Sequence, residues 1–124
     1  DLFKACQIVS LHIPATAETK QSINYSLLSL MPKGALLINT ARKEVIYEED
    51  LARILEDRTD FHYVADVAPT IVDTLKEKFG NRIFFTPKKM GAQTSEANIN
   101  AGIAAARQSV GYLKDSIDKF RVNK

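Results

Sequence analysis

Short apolar runs alternate along the chain with segments of helical period. Residues 7–13 (QIVSLHI) are aliphatic and β-branched, the make-up of a buried strand, and Pro14 removes the backbone donor that would continue it. Residues 16–19 are polar and turn-like, and residues 26–30 (SLLSL) predict a short helix stopped by Pro32 and Gly34. Residues 35–39 (ALLIN) are apolar on both faces, which predicts a central parallel strand covered on each side. Residues 48–57 set Leu51, Ile54 and Leu55 at helical spacing behind an acidic first turn that suits the helix dipole. Residues 63–67 (YVADV) and 83–86 (IFFT) predict a third and a fourth strand. Thr94 or Ser95 caps a long final helix with Glu96 in its first turn, fading by Asp118. Its small residues, Ala97, Ala101, Gly102, Ala104, Ala105 and Ala106, permit close packing.

The order is β-α-β-α-β-(α)-β-α, which predicts an α/β fold with an open parallel sheet and right-handed crossovers. Ligands of such sheets sit at the carboxyl ends of the strands, so the residues just past each strand matter most. Here they are His12-Ile13-Pro14, Thr40-Ala41-Arg42, Asp66 and Lys88-Lys89-Met90-Gly91-Ala92.

Composition narrows the classes. The chain has 124 residues, 45% hydrophobic and 26% charged, which suits one globular domain rather than a disordered segment. The net charge of +2 is spread without a basic tract, so no nucleic-acid footprint stands out. No apolar run is long enough for a membrane span, and no signal peptide opens the sequence. The single cysteine, Cys6, reads as a core thiol and fits a reducing compartment. Asp1 opens the chain almost inside a strand, which reads as a fragment or a processed chain. No metal-ligand spacing occurs, and the Gly-x-Gly-x-x-Gly phosphate loop is absent.

Each candidate has a bland alternative. Arg42, three residues past a strand, can fork onto a carboxylate or simply pair with Glu44, and position alone does not separate the two. Asp66 ends an apolar strand, where it either meets a ligand or caps a loop. Lys88 and Lys89 repel one another and lower each other's pKa, but adjacent lysines are more often solvated surface charges. Gly91-Ala92 would let backbone approach a ligand closely. His12 reads as structural, and His62 has no assigned role.

Taken in order, VSLHIPAT (9–16), LMPKGALLINTAR (30–42), VADVAP (64–69) and FFTPKKMGAQTSEA (84–97) resemble the second half of the nucleotide-binding domain of D-2-hydroxyacid dehydrogenases. The likeness spans nearly the whole chain, and LMPKGALLINTAR is its most specific block. It is strongest to compact 3-phosphoglycerate dehydrogenases that carry lysine where other members carry histidine. The resemblance implies the C-terminal half of a Rossmann-type NAD-binding domain over residues 1–93. It also implies a helix over 94–124 that returns to a substrate domain outside this chain. It implies NAD as cofactor, a small 2-hydroxy acid as substrate, no nucleic-acid or membrane partner, no metal, a homodimer or larger assembly and a cytoplasmic location. The parent activity would be oxidation of D-3-phosphoglycerate to 3-phosphohydroxypyruvate in serine biosynthesis. The catalytic Arg falls on Arg42 and the acid/base position on Lys89. The cofactor-binding positions fall on Ile13, Thr40, Ala41, Arg42, Asp66, Lys89, Gly91 and Ala92.

Three positions depart from the family pattern. Lys89 stands where His is usual and Lys43 where Gly is usual. The stretch 68–71 has no carboxylate where a catalytic Glu is expected, leaving Asp73 as the nearest candidate. The first and last of these fit together. A carboxylate raises a neighbouring base's pKa, whereas lysine starts near ~10.4 and must come down to act as a base. Arg42 and Lys88 would push Lys89 that way. Without the Gly-rich turn, weak or no NAD binding and no turnover are expected of this piece alone, with the apolar face of the last helix free to self-associate. Two other readings stay open: a different D-2-hydroxyacid dehydrogenase or 2-ketoacid reductase, and a non-catalytic dinucleotide-binding or dimerisation module.

Overall fold

A computed structural model describes residues 2–87 and 94–120. The chain divides into two compact units, 1–88 and 89–124.

In the first unit the described elements run α1 (Leu2–Ala5), β1 (Ile8–Leu11), α2 (Tyr25–Leu28), β2 (Leu36–Asn39), a 3-10 turn (Lys43–Val45), α3 (Glu48–Asp57), β3 (His62–Ala65), α4 (Val72–Phe79) and β4 (Ile83–Phe85). The strands form one parallel sheet in the order β1-β2-β3-β4. Sequential order with crossovers of one hand places every connecting helix on the same face. The core agrees: Val9, Leu11, Leu37, Tyr63 and Ala65 from the sheet join Leu28 of α2, Leu51, Ile54 and Leu55 of α3, and Leu75 and Phe79 of α4.

Leu51, Ile54 and Leu55 are fully buried, so the predicted spacing of α3 is the spacing of its core face. Each such burial contributes ~2 kcal/mol. Asp50 just past the start of this helix accepts from the Tyr25 N–H at 2.8 Å, seating α2 beside it. Asn24 caps α2 by accepting from the Leu27 N–H.

One expectation fails. ALLIN is covered on one face only: Leu37 is buried, while Leu36 and Ile38 stay half-buried on the opposite face with exposed Ile8 and Phe84. The connecting helices of the first unit all lie on the other side, which is the physical reason. The chain also opens on a helical turn, α1, rather than inside a strand, and Cys6 after it is half-buried against the core.

The amino ends of β2 and β3 are fixed by a polar knot. Gly34 adopts φ 75°, a conformation open to glycine, and its N–H donates to Asp60 Oδ2 at 2.7 Å. A Cβ at Gly34 would lie 2.8 Å from Gln7 Nε2, which itself donates to the Lys33 carbonyl. Arg58 pairs with Asp60 at 2.6 Å and donates to the carbonyls of Met31 and Pro32. Its guanidinium and the Gly34 N–H hold the Asp60 carboxyl far below its ordinary range.

In the second unit, α5 (Ser95–Asp115) is capped by Thr94, whose hydroxyl accepts from the Ala97 N–H at 3.0 Å. Taken by itself it exposes Ile99, Ile103, Val110 and Leu113.

Candidate functional site at the carboxyl edge of the sheet

β2 ends at Asn39 and the chain turns at once. Asn39 is 1% exposed, the only buried polar residue among the described ones. Its Oδ1 accepts from the Ala41 N–H at 3.0 Å, and its Nδ2 donates to the Arg42 carbonyl at 3.0 Å. This Asx-type turn wraps the residues that lead into Arg42. Nδ2 also lies 3.5 Å from the Tyr63 hydroxyl. Burial pushes the Tyr63 phenol up to about 12, so it stays neutral at physiological pH.

Arg42 is exposed and its Nη1 donates to the Ala41 carbonyl at 3.2 Å. Among the described residues it makes no ion pair, so the pairing with Glu44 is not formed. Thr40 is exposed beside it and Ala41 half-buried. The loops after β1 and β2 are stitched together: the Gln21 N–H donates to the Glu44 carbonyl, and Ile23 pairs with Ile46 in a parallel bridge.

Asp66 lies one residue past β3, not in it as the apolar run suggested. Its N–H donates to the Asn39 carbonyl at 3.2 Å, and its own carbonyl accepts from Thr86 Oγ1 at 3.3 Å. Its Oδ1 is buried with no hydrogen-bond partner among the described residues. An orphan acceptor at the ligand edge of a sheet fits a ligand that brings an N–H donor, because an unpaired buried acceptor otherwise costs roughly 1–3 kcal/mol.

Arg42 and Asp66 therefore sit at the carboxyl ends of adjacent strands, both bonded through their main chains to Asn39. Ile13 lies two residues past β1, half-buried against the core. His12 is exposed, and its Nε2 meets Ser10 Oγ at 2.8 Å. Lys88, Lys89, Gly91 and Ala92 lie outside the described residues. Lys43 donates to Thr70 Oγ1 at 3.4 Å and Glu48 accepts from the Thr70 N–H at 2.8 Å. These two hold the stretch in which the family's glutamate was sought. Asp73 is exposed in the first turn of α4. Sequence reasoning missed Asn39 and Tyr63. The available signal was an amide as the last residue of an otherwise apolar strand.

A parallel α/β sheet with Arg42, Asp66 and the Asn39 amide at its carboxyl edge is the class of domain that binds its ligand there. The profile of the D-isomer specific 2-hydroxyacid dehydrogenase NAD-binding domain matches residues 1–85, and the chain belongs to that family. It is similar to a crystal structure of NAD+-bound 3-phosphoglycerate dehydrogenase from Entamoeba histolytica, at 49% identity and TM-score 0.81, covering 98% of this chain and 40% of that one. It is 32% identical to D-3-phosphoglycerate dehydrogenase of Haemophilus influenzae over 99% of this chain and 31% of that protein. A D-lactate dehydrogenase from Aquifex aeolicus, at 24% identity and TM-score 0.68, covers 98% of this chain and 41% of its own and shares the fold. The chain thus spans under half the length of these relatives.

Proposed function

We propose that this chain is the second half of the NAD-binding domain of a D-3-phosphoglycerate dehydrogenase. In this reading residues 1–93 carry that half-domain and 94–124 the helix that returns to a substrate domain. The observation that carries it is the joined pair at the sheet edge: the unpaired Arg42 clamp and the orphaned Asp66 Oδ1, tied together by Asn39.

Asp66 would accept from the carboxamide of NAD, and the loop of Thr40, Ala41 and Arg42, with Ile13, would line the cofactor crevice. When bound, NAD+ supplies the hydride acceptor for C2 of the substrate. Arg42 forks onto the substrate carboxylate and polarises the C2 oxygen. Lys89, in its neutral form, takes the hydroxyl proton, and its ammonium form returns a proton in the reverse direction. In the same reading Gly91 and Ala92, both small, are the positions at which backbone would approach the ligand. The site uses no metal. The substrate is a small 2-hydroxy acid, and the likeness to phosphoglycerate dehydrogenases supports D-3-phosphoglycerate. The lone cysteine is consistent with a cytoplasmic enzyme. The family likeness favours a homodimer or larger assembly.

The test is steady-state NAD reduction by the full-length protein on D-3-phosphoglycerate, D-lactate and D-glycerate, with and without Lys89→Ala. The expected result is a preference for D-3-phosphoglycerate, oxidation favoured at alkaline pH, and a loss of ~10²–10⁴-fold in kcat for the variant. Equal rates on all three substrates would remove the substrate assignment. Full turnover by Lys89→Ala would remove the proton-transfer role.

A further inference from the structure

Asn39 is costly where it stands. A primary amide in an apolar core loses its hydration and is tolerated only when its hydrogen bonds are remade. Asn39 remakes them, and it spends both strong ones on the two residues that lead out of β2: Oδ1 on the Ala41 N–H and Nδ2 on the Arg42 carbonyl, each at 3.0 Å. A leucine or valine would fill the same place in the sheet at lower desolvation cost. It would leave the turn after β2 without those two bonds.

Asn39 also reaches the other side of the site. Its carbonyl accepts the Asp66 N–H at 3.2 Å, so one residue fixes the backbone at both Arg42 and Asp66. Tyr63 stands on the neighbouring strand with its hydroxyl 3.5 Å from Nδ2 and its ring edge-on to Phe85, centroids 5.8 Å apart. The packed ring fixes the position of the hydroxyl oxygen beside Nδ2, while the hydroxyl hydrogen remains free to rotate. The orientation of the amide is set by the two backbone groups, because the Ala41 N–H can only donate and the Arg42 carbonyl can only accept.

We propose that Asn39 is a positioning residue for Arg42, and that the Tyr63 hydroxyl supports its amide from the neighbouring strand. The inference rests on the reading of Arg42 as the carboxylate clamp. It assigns no contact between Asn39 and substrate: the amide acts by holding the backbone from which the guanidinium projects. A clamp displaced by ~1 Å can lose on the order of 10²-fold in rate, so a buried amide can control turnover from behind the site.

The test is a double-mutant cycle in the full-length protein, read as kcat/KM for reduction of 3-phosphohydroxypyruvate, with NADH affinity measured in parallel. Asn39→Ala is expected to lower kcat/KM by ~10–100-fold with NADH affinity changed less than about threefold. In an Arg42→Ala background the same change is expected to cost less than about threefold, because the residue through which it acts is gone. Should Asn39→Ala fail to fold, Asn39→Ser enters the cycle instead. Its hydroxyl can still accept from the Ala41 N–H but is too short to reach the Arg42 carbonyl. Tyr63→Phe keeps the ring and is expected to cost about two- to fivefold, again only when Arg42 is present. Equal losses in both backgrounds overturn the positioning role while leaving Arg42 its own. An Arg42→Ala protein with unchanged kcat/KM overturns the clamp itself, a different failure that the single variant reveals first.

Discussion

The Oδ1 atom of Asp66 is out of water and without a donor. A buried acceptor in that condition weakens the fold, and the loss is recovered only when a ligand supplies the missing N–H. Replacing it should therefore separate stability from binding. In the full-length protein, Asp66→Ala is expected to melt at the same temperature as the parent or higher, while NAD affinity falls by ~10-fold or more, about 1.4 kcal/mol. Melting curves and NAD titration read the two effects, and a marked fall in melting temperature with NAD affinity intact would show the carboxylate to be structural. Arg42 and Asp66 stood out in the sequence as candidates because charged groups just past apolar strands interrupt the pattern, although position alone did not separate a ligand role from a surface or loop-capping one. Asn39 was not: it was counted as the last residue of an apolar strand, with no sign of what its amide would bind. Only its contacts across 24 residues to Tyr63 and forward to Arg42 show that it is in the core.

At the scale of elements, α3 was readable to the residue because its register is local: Leu51, Ile54 and Leu55 mark one face whatever they pack on. Strand ends were not, because a partner sets them. The aliphatic run into Ile13 predicts a longer β1, yet the ladder stops where Leu11 meets Asn39, since β2 turns away there. The turn between α3 and β3 makes a testable link of this kind. Asp60 is bound by Arg58 and by the Gly34 N–H, which lower its pKa from the ordinary 3.8. A carboxylate with a depressed folded pKa contributes stability above its unfolded value and loses it as pH falls through the folded one. Asp60→Asn is accordingly expected to destabilise the protein by ~1 kcal/mol at pH 7, with the gap to the parent closing below about pH 3.8. Urea titrations at pH 7 and pH 3 measure it, and a gap that did not narrow would mean the charge of Asp60 contributes nothing.

For the molecule as a whole, the sheet has spent one face and kept the other. Parallel sheets are almost always covered on both sides, because their strands carry apolar residues on both. Here Ile8 is 61% and Phe84 60% exposed, with Leu36, Ile38 and Val64 half-buried between them, while every helix of the first unit packs behind. ALLIN was written for two covers, which is why its sequence predicted them, and one of them lies within the first unit. Uncovered apolar surface of this kind drives association in water. The 124-residue chain, made alone, is expected to bind a hydrophobic dye and to sediment as concentration-dependent oligomers. Ile8→Thr with Phe84→Ser should shift it towards monomer, since both side chains lie on the open face and leave the core cluster intact. Analytical ultracentrifugation across a hundredfold range of concentration, on the order used for weak association, decides it. A parent chain that stayed monomeric and dye-free throughout would show that the open face is not sticky. A double variant that associated as before would move the contact elsewhere, and the exposed Ile99, Ile103, Val110 and Leu113 of α5 would then be the next surface to alter.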